Sequence, residues 1–103
     1  MNDSKVSPQA CITMAEVRDG VDRLDAAIVA LLAERFRYME AAARIKPGRE
    51  AVRDEWRKAD VIAKVRAVAA SEGAPVDRVA VLYDALVESS IAFEFDRYDA
   101  TRG

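Results

Sequence analysis

Residues 13–46 read TMAEVRDGVDRLDAAIVALLAERFRYMEAAARIK, and this stretch decides the fold. Apolar residues recur in steps of mostly three and four, at Val17, Val21, Leu24, Ile28, Leu31, Leu32, Phe36, Met39 and Ala43. This spacing is typical of one face of an α-helix. Thr13 and Glu16 have the spacing of a capping box at its start, and Pro47 and Gly48 end it after Lys46. We therefore predict a single long helix, roughly 50 Å from end to end.

Two shorter helices follow in the same chain. After a loop over 47–52, the apolar spacing predicts a second helix from residue 53 or 54 to about 71, and a third over about 77–98. Gly73 and Pro75 mark the break between them. No apolar–polar alternation of period two occurs, so the sequence predicts an all-α fold with three helices per chain and no sheet. Residues 1–13 are interpreted as a flexible leader, 14–98 as the helical domain and 99–103 as a polar tail.

The length of the first helix indicates a second copy of the chain. A compact domain of 103 residues has a diameter of about 33 Å, which is shorter than that helix. The stripe over positions 17, 21, 24, 28 and 31 also resembles the seam of a coiled coil, which packs against another helix. We therefore expect an intertwined homodimer. The alternative is a monomeric bundle in which the first helix bends at Gly20.

Composition excludes several classes of chemistry. The chain has no histidine and a single cysteine, Cys11, so histidine-based catalysis, the usual zinc sites and an internal disulfide are excluded. Its formal net charge is −2 and it has no long apolar run, which argues against nucleic-acid and membrane partners. We expect a cytoplasmic protein that needs neither a metal nor a cofactor.

Charged residues interrupt the apolar face of the first helix. Arg35 lies seven residues after Ile28, which rotates it by only about 20° from that apolar position. Lys46 lies eleven residues further on, so it shares this face about three turns away. Arg18 lies about 100° off the face and would more easily reach the pocket of a partner subunit. The alternative for Arg18 is a surface pair with Asp22 at i+4.

The other two helices also place polar residues at core positions. The stripe of the third helix continues to Ser90 and Glu94. The stripe of the second helix extends back to Arg57 and Asp54 and is formed by Val61, Val65 and Val68. Buried charges must be paired or bind something charged, and the cations are in excess here. A small ligand with two carboxylates would fit, because guanidinium groups bind carboxylates through two hydrogen bonds.

Each of these charges also has a structural explanation. Arg35 could extend to solvent from the edge of the stripe, and Lys46 could stabilise a helix C-terminus. Asp54 could be the N-cap of the second helix, and Glu94 could be solvated near a helix end. Their occurrence together favours the ligand site.

The first helix carries the pattern Arg18-x3-Asp22-x2-Asp25-x2-Ile28-x2-Leu31-Leu32-x2-Arg35-x10-Lys46. It continues in Val52-Arg53-Asp54-x2-Arg57 and Glu88-x-Ser90-Ile91-x2-Glu94. Over residues 14–98 this pattern resembles the all-helical chorismate mutases. The leader segment Cys11-x2-Met14-Ala-Glu-Val-Arg18 is similar to a subgroup that includes isochorismate pyruvate lyases.

The resemblance implies an intertwined homodimer with two equivalent sites. In that family, the arginine that matches Arg18 crosses from the other subunit to bind one substrate carboxylate, and the one that matches Arg35 binds the other. The lysine that matches Lys46 contacts the enolpyruvyl ether oxygen and a carboxylate. The resemblance further places Ser90 near the ring carboxylate, Arg57 near that carboxylate or the loop, and Asp54 near the substrate hydroxyl.

Two positions depart from the family's usual pattern. Lys58 stands where many chorismate mutases have a glutamate that holds the ring hydroxyl. Glu94 stands where many have a glutamine beside the ether oxygen. A glutamine amide always donates a hydrogen bond, whereas a carboxyl group donates only when it is protonated.

The resemblance implies an isomerase of the shikimate pathway, which serves aromatic amino acid biosynthesis. It would convert chorismate to prephenate, with Lys46, Glu94 and Arg35 as catalytic residues. The alternatives are an isochorismate pyruvate lyase that forms salicylate and pyruvate, and a helical dimer that binds without catalysis.

Arg35→Ala should remove several kcal/mol of transition-state stabilisation, because one carboxylate of the substrate would lose its partner. The circular dichroism spectrum should be unchanged, and kcat/KM should fall. Near-normal turnover by the variant would contradict the site assignment.

Overall fold

The computed structural model describes residues 6–102 and contains three α-helices. They are α1 (Met14–Ile45), α2 (Glu55–Ser71) and α3 (Val76–Arg102). Within residues 6–102 there is no strand, so the predicted all-α class with three helices is confirmed. Over the same range no helix is long and apolar enough to cross a bilayer. The chain divides into two compact units, Met1–Arg35 and Phe36–Gly103.

In the first unit, a capping box begins α1 as the sequence predicts. The Glu16 amide donates to the Thr13 hydroxyl at 3.1 Å, and the Glu16 carboxylate accepts from the amides of Ile12 and Thr13 at 2.9 and 3.0 Å. These two backbone donors hold the pKa of Glu16 below its usual value. The cap therefore satisfies amides that α1 itself leaves without partners.

The described part of the leader contains one short turn. Pro8–Ala10 forms a 3-10 turn, and the Cys11 amide donates to the carbonyl oxygen of Pro8 at 3.3 Å. Residues 1–5 lie outside the described range, and the flexible leader stays a prediction.

The apolar stripe of α1 is exposed in the isolated chain. Its members range from 38% exposed at Val17 to 65% at Leu31 and are Val17, Val21, Leu24, Ile28 and Leu31. The helix is continuous through Gly20. A stripe of this length exposed to water is costly, because burial of apolar surface is the main favourable term in folding and association.

The core of the second unit lies where α2 packs on α3. Val52, Val87 and Ile91 are buried there. Half-buried residues from α2 and the end of α3 pack around them, namely Val61, Ile62, Phe95 and Tyr98. The Phe36 ring meets the Phe93 ring edge-to-face, with 5.0 Å between centroids. This contact brings the C-terminal part of α1 against α3.

The break between α2 and α3 is a glycine-terminated helix end. Gly73 has φ of 71°, and the amides of Ala74 and Gly73 donate to the carbonyl oxygens of Ala69 and Ala70 at 2.8 and 3.2 Å. This is the Schellman arrangement, in which the left-handed residue is usually glycine. The predicted stop at Gly73 is confirmed.

The third helix is longer than predicted at its C-terminal end. Residues 99–102, interpreted from the sequence as a polar tail, form its last turn. The Thr101 hydroxyl donates to the carbonyl oxygens of Arg97 and Tyr98, both at 3.0 Å. Asp99 and Arg102 bind residues of the second unit, as described below. The polar side chains therefore bind protein groups, and polarity alone was a poor guide to the helix boundary.

An ion-pair network joins the start of α2 to α3. The Glu88 carboxylate accepts from Arg53 Nη2 at 2.6 Å and from Lys58 Nζ at 2.7 Å. Hydrogen bonds from these two cations lower the pKa of Glu88 to about 2. Lys58 Nζ also lies 3.0 Å from Asp84 Oδ1. The network holds the residues on both sides of the α2 N-terminus against one turn of α3.

Glu88→Gln should reduce stability in a pH-dependent manner. The pKa of Glu88 is lower in the folded chain than its ordinary value of 4.5, so its contribution is present above about pH 4.5 and is lost as the pH falls toward 2. Urea midpoints of the wild type and the variant should therefore differ at pH 7 and converge on acidification. Glu34→Gln, an exposed change on α1, is the control. A difference that is constant from pH 7 to pH 3 would contradict this role.

Candidate functional site

Lys46 lies directly after the last residue of α1. Its amide still donates to the Ala42 carbonyl oxygen at 2.9 Å, while Pro47 follows and cannot continue the helix. Its Nζ donates to the Val52 carbonyl oxygen at 3.3 Å and lies 2.6 Å from Glu94 Oε2. The Val52 carbonyl group of the following loop and the Glu94 side chain of α3 thus both bind the ammonium group.

Glu94 is a buried carboxylate on α3, and only 4% of the residue is exposed. Its Oε2 forms a close ion pair with Lys46, but the angles are not those of a hydrogen bond, and no other described residue donates to this atom. A buried acceptor without a donor is costly, and a ligand with a donor group would relieve this cost. Lys46 and Glu94 therefore form a polar pair that can still bind a further group.

Ser90 lies one turn before Glu94 on the same face of α3. Only 3% of the residue is exposed, and its hydroxyl donates to the Leu86 carbonyl oxygen at 2.7 Å. Val87 and Ile91 are buried beside it. The structure therefore confirms that polar residues occupy core positions of α3, as the sequence predicts.

The inward placement predicted for Asp54 and Arg57 is wrong for the isolated chain, because both residues are exposed. Asp54 is the N-cap of α2, and its Oδ1 accepts from the Arg57 amide at 3.0 Å. The Arg57 guanidinium lies along the outside of α2 and donates to Asp60 at 2.8 Å. The structural explanation for Asp54, that it is the N-cap of the second helix, is thus confirmed.

The error at Arg57 comes from the chosen face of α2. The sequence favoured a stripe that ends at Val68, but Val68 is 59% exposed and its neighbour Ala69 is buried. Ile62 and Lys58 lie on the same face of α2 as Ala69, and both are half-buried. Val61 and Val65 of the predicted stripe are also half-buried, so the inner face is rotated by less than the 100° of one residue step.

Lys58 takes the inward position that the sequence assigned to Arg57. Its ammonium binds Glu88 and Asp84 of α3, and hydrogen bonds from Nζ to these carboxylates raise the pKa of Lys58. A lysine at a half-buried helix position needs such partners. The positive charge of Lys58 is thus balanced by these two carboxylates of α3.

The two remaining arginines of the predicted site belong to the first unit. Arg18 is exposed on the first turns of α1. Arg35 is half-buried and is the last residue of that unit. The second unit brings Lys46, Ser90 and Glu94 together at core positions.

Several charged residues around Lys46 have no role predicted from the sequence. Arg49 binds Asp99 through two hydrogen bonds, and Arg102 binds carbonyl oxygens at the end of α1. Arg53 binds Glu88. A signal for the Arg102 contact was present, since Arg102 continues the spacing of three and four from Phe95 and Tyr98 beyond the predicted helix end.

Comparison with known proteins identifies the family of the chain. The family model described as chorismate mutase type II matches residues 17–95. The chain belongs to the chorismate mutase type II family. A curated relative, the isochorismate pyruvate lyase of Pseudomonas aeruginosa, is 29% identical over 97 residues, which cover 94% of this chain and 96% of that protein. Family membership supports an enzyme that acts on a dicarboxylate.

Lys46→Met should destabilise the fold more than its exposure suggests, because it leaves the Glu94 charge buried without a cation. The loss should lie below the roughly 3–5 kcal/mol of a fully buried pair, since water reaches part of Lys46. Combining it with Glu94→Gln should recover part of the loss. Urea unfolding of both variants, with the exposed Lys64→Met as control, measures this. A double variant no more stable than Lys46→Met alone would contradict the pairing.

Proposed function

We propose that the protein is a chorismate mutase that rearranges chorismate to prephenate. The observation that carries the proposal is the contact of 2.6 Å between Lys46 Nζ and the buried carboxylate of Glu94, in a chain of the chorismate mutase type II family. These groups match, residue by residue, the positions that face the ether oxygen of the substrate in that family.

The reaction suits a site without histidine. The rearrangement breaks the ether C–O bond and forms a C–C bond within one molecule, so no nucleophile and no leaving group are required. The protein must hold the substrate in a folded conformer and stabilise negative charge on the ether oxygen. Lys46 supplies a positive donor for that oxygen. Glu94 supplies a second donor once its carboxylate takes up a proton, which replaces its ion pair with Lys46.

The carboxylates of the substrate need cations. We propose that Arg35 binds one carboxylate and that Arg18 of the partner subunit binds the other. Arg57 and Ser90 would assist at the ring carboxylate, and Asp54 at the hydroxyl. Because the Arg57 guanidinium binds Asp60, its part requires a change of partner when the substrate enters. Arginine suits this role because its guanidinium group forms two hydrogen bonds with one carboxylate.

The homodimer is part of the proposal, because Arg18 is assigned to the partner's site. The exposed stripe of α1 supports it, since all five members are apolar and follow the spacing of a helix–helix seam. Pairing α1 with a second copy would remove this surface from water. The dimer thus accounts for both the exposed stripe and the assignment of Arg18.

Isochorismate pyruvate lyase is the second candidate. A relative with this name aligns with almost the whole chain, which favours it. Lys58 also supports it, because this residue replaces the glutamate that many mutases use for the ring hydroxyl. The same cationic groups could hold isochorismate while its ether C–O bond breaks and a ring hydrogen passes to the enolpyruvyl methylene carbon, which gives salicylate and pyruvate.

Incubation with chorismate and, separately, with isochorismate tests the proposal. We expect prephenate from chorismate, with loss of activity in Lys46→Met and little change in Lys64→Met. Salicylate and pyruvate from isochorismate, with little prephenate from chorismate, would contradict the chorismate mutase proposal and favour the isochorismate pyruvate lyase. Consumption of neither substrate between pH 5 and 8 would contradict both and favour a dimer that only binds.

Glu94→Gln should change the pH dependence of the reaction. The wild-type rate should fall as the pH rises, because the carboxyl donates to the ether oxygen only when protonated, whereas the amide of glutamine donates at every pH. The ratio of variant to wild-type kcat should therefore increase from pH 5 to pH 9. Asp96→Asn, an exposed change on the same helix, should keep the wild-type profile. Parallel profiles for Glu94→Gln and wild type would refute the donor role.

A further inference from the structure

The last turn of α3 binds the C-terminal end of α1. The Arg102 guanidinium donates to the carbonyl oxygens of Ala43 and Lys46, both at 2.9 Å. It also lies 3.9 Å from the centre of the Tyr98 ring, where a cation–π contact holds it. The final carbonyl groups of an α-helix lack partners within the helix, and a cation at that end interacts favourably with the helix dipole. Arg102 therefore caps α1 from another helix.

A second contact fixes the loop that follows. Arg49 Nε and Nη2 donate to the two carboxylate oxygens of Asp99 at 2.9 and 3.3 Å. The Arg49 guanidinium also lies 4.4 Å from the centre of the Phe95 ring. The hydrogen bonds that Arg49 donates to Asp99 raise the pKa of the arginine, which stays charged. The loop is thus held about one turn after Lys46.

Together these contacts hold the backbone on both sides of Lys46. Arg102 binds the carbonyl oxygen of Lys46 itself, and Asp99 anchors Arg49 three residues later. The Lys46 side chain points instead to Val52 and Glu94. The last turn of α3 therefore fixes the position of the Lys46 backbone. Val52 of the loop and Glu94 fix the position of its ammonium group.

We propose that Arg102 and Asp99 are positioning residues that set the place of the Lys46 ammonium for catalysis. The inference rests on the proposed function, because it assigns their role through Lys46. Reactions that depend on orientation are sensitive to shifts of about 1 Å, so a loosened loop should lower turnover more than binding. Arg102 reaches the two carbonyl oxygens through two nitrogens of its planar fork, whereas a lysine has a single nitrogen for both.

Arg102→Met and Asp99→Asn test the role, with Arg97→Met as the matched control. Arg97 is an exposed arginine on the same helix, whose nearest carboxylate oxygen, on Glu40, is 3.9 Å away. We expect Arg102→Met to lower kcat about tenfold with KM changed less than threefold. Arg102→Lys should recover only part of kcat, and Arg97→Met should match the wild type. Equal kcat in Arg102→Met and Arg97→Met, with both folded, would overturn the proposal.

A readout without substrate separates this inference from the proposed function. The 13Cε and 15Nζ signals of Lys46, assigned by their loss in Lys46→Arg, report its ion pair with Glu94. In Arg102→Met and Asp99→Asn they should move toward the signals of exposed lysines such as Lys64, and in Arg97→Met they should stay. Unchanged Lys46 signals in both folded variants would overturn the positioning role, whereas an inactive wild type would count against the proposed function alone.

Discussion

The buried carboxylate of Glu94 is the constraint on which the second unit depends. A charge that is 4% exposed must be met by a cation, and Lys46 Nζ meets it at 2.6 Å. That contact requires α1 to end against α3, and the Pro47 stop places the lysine at this end. Arg102 and Asp99 then secure the same region from the last turn of α3. The core, the helix ends and the candidate site are thus built around one ion pair.

The chain by itself leaves two features unexplained, and both concern α1. Its apolar stripe is exposed, although the stripe has the spacing of a helix–helix seam. Arg18 is also exposed on the first turns of the helix. A second copy that packs along the stripe would bury the apolar residues and bring an arginine to each site. The proposed dimer would therefore serve both the proposed chemistry and the burial of the stripe.

Much of this arrangement could be predicted from sequence, because helix periodicity fixes which residues share a face. The long α1, its capping box and the inward positions of Ser90 and Glu94 follow from that rule. The inner face of α2 did not follow, because Val61, Ile62 and Val65 give nearly equal support to two faces, and contact with α3 decides between them. The C-terminal turn was mistaken for a tail because its polar side chains bind carbonyl and charged groups that are distant in sequence.

Mixing two inactive variants tests the central claim that each site combines the Lys46–Glu94 pair of one subunit with Arg18 of the other. Arg18→Ala and Lys46→Met subunits would be refolded separately and together. In the mixture about half of the dimers contain one subunit of each kind, and each of these has one complete site. The account predicts recovery of about a quarter of wild-type turnover, in proportion to that fraction. Turnover of the mixture no greater than that of the separate variants would contradict it.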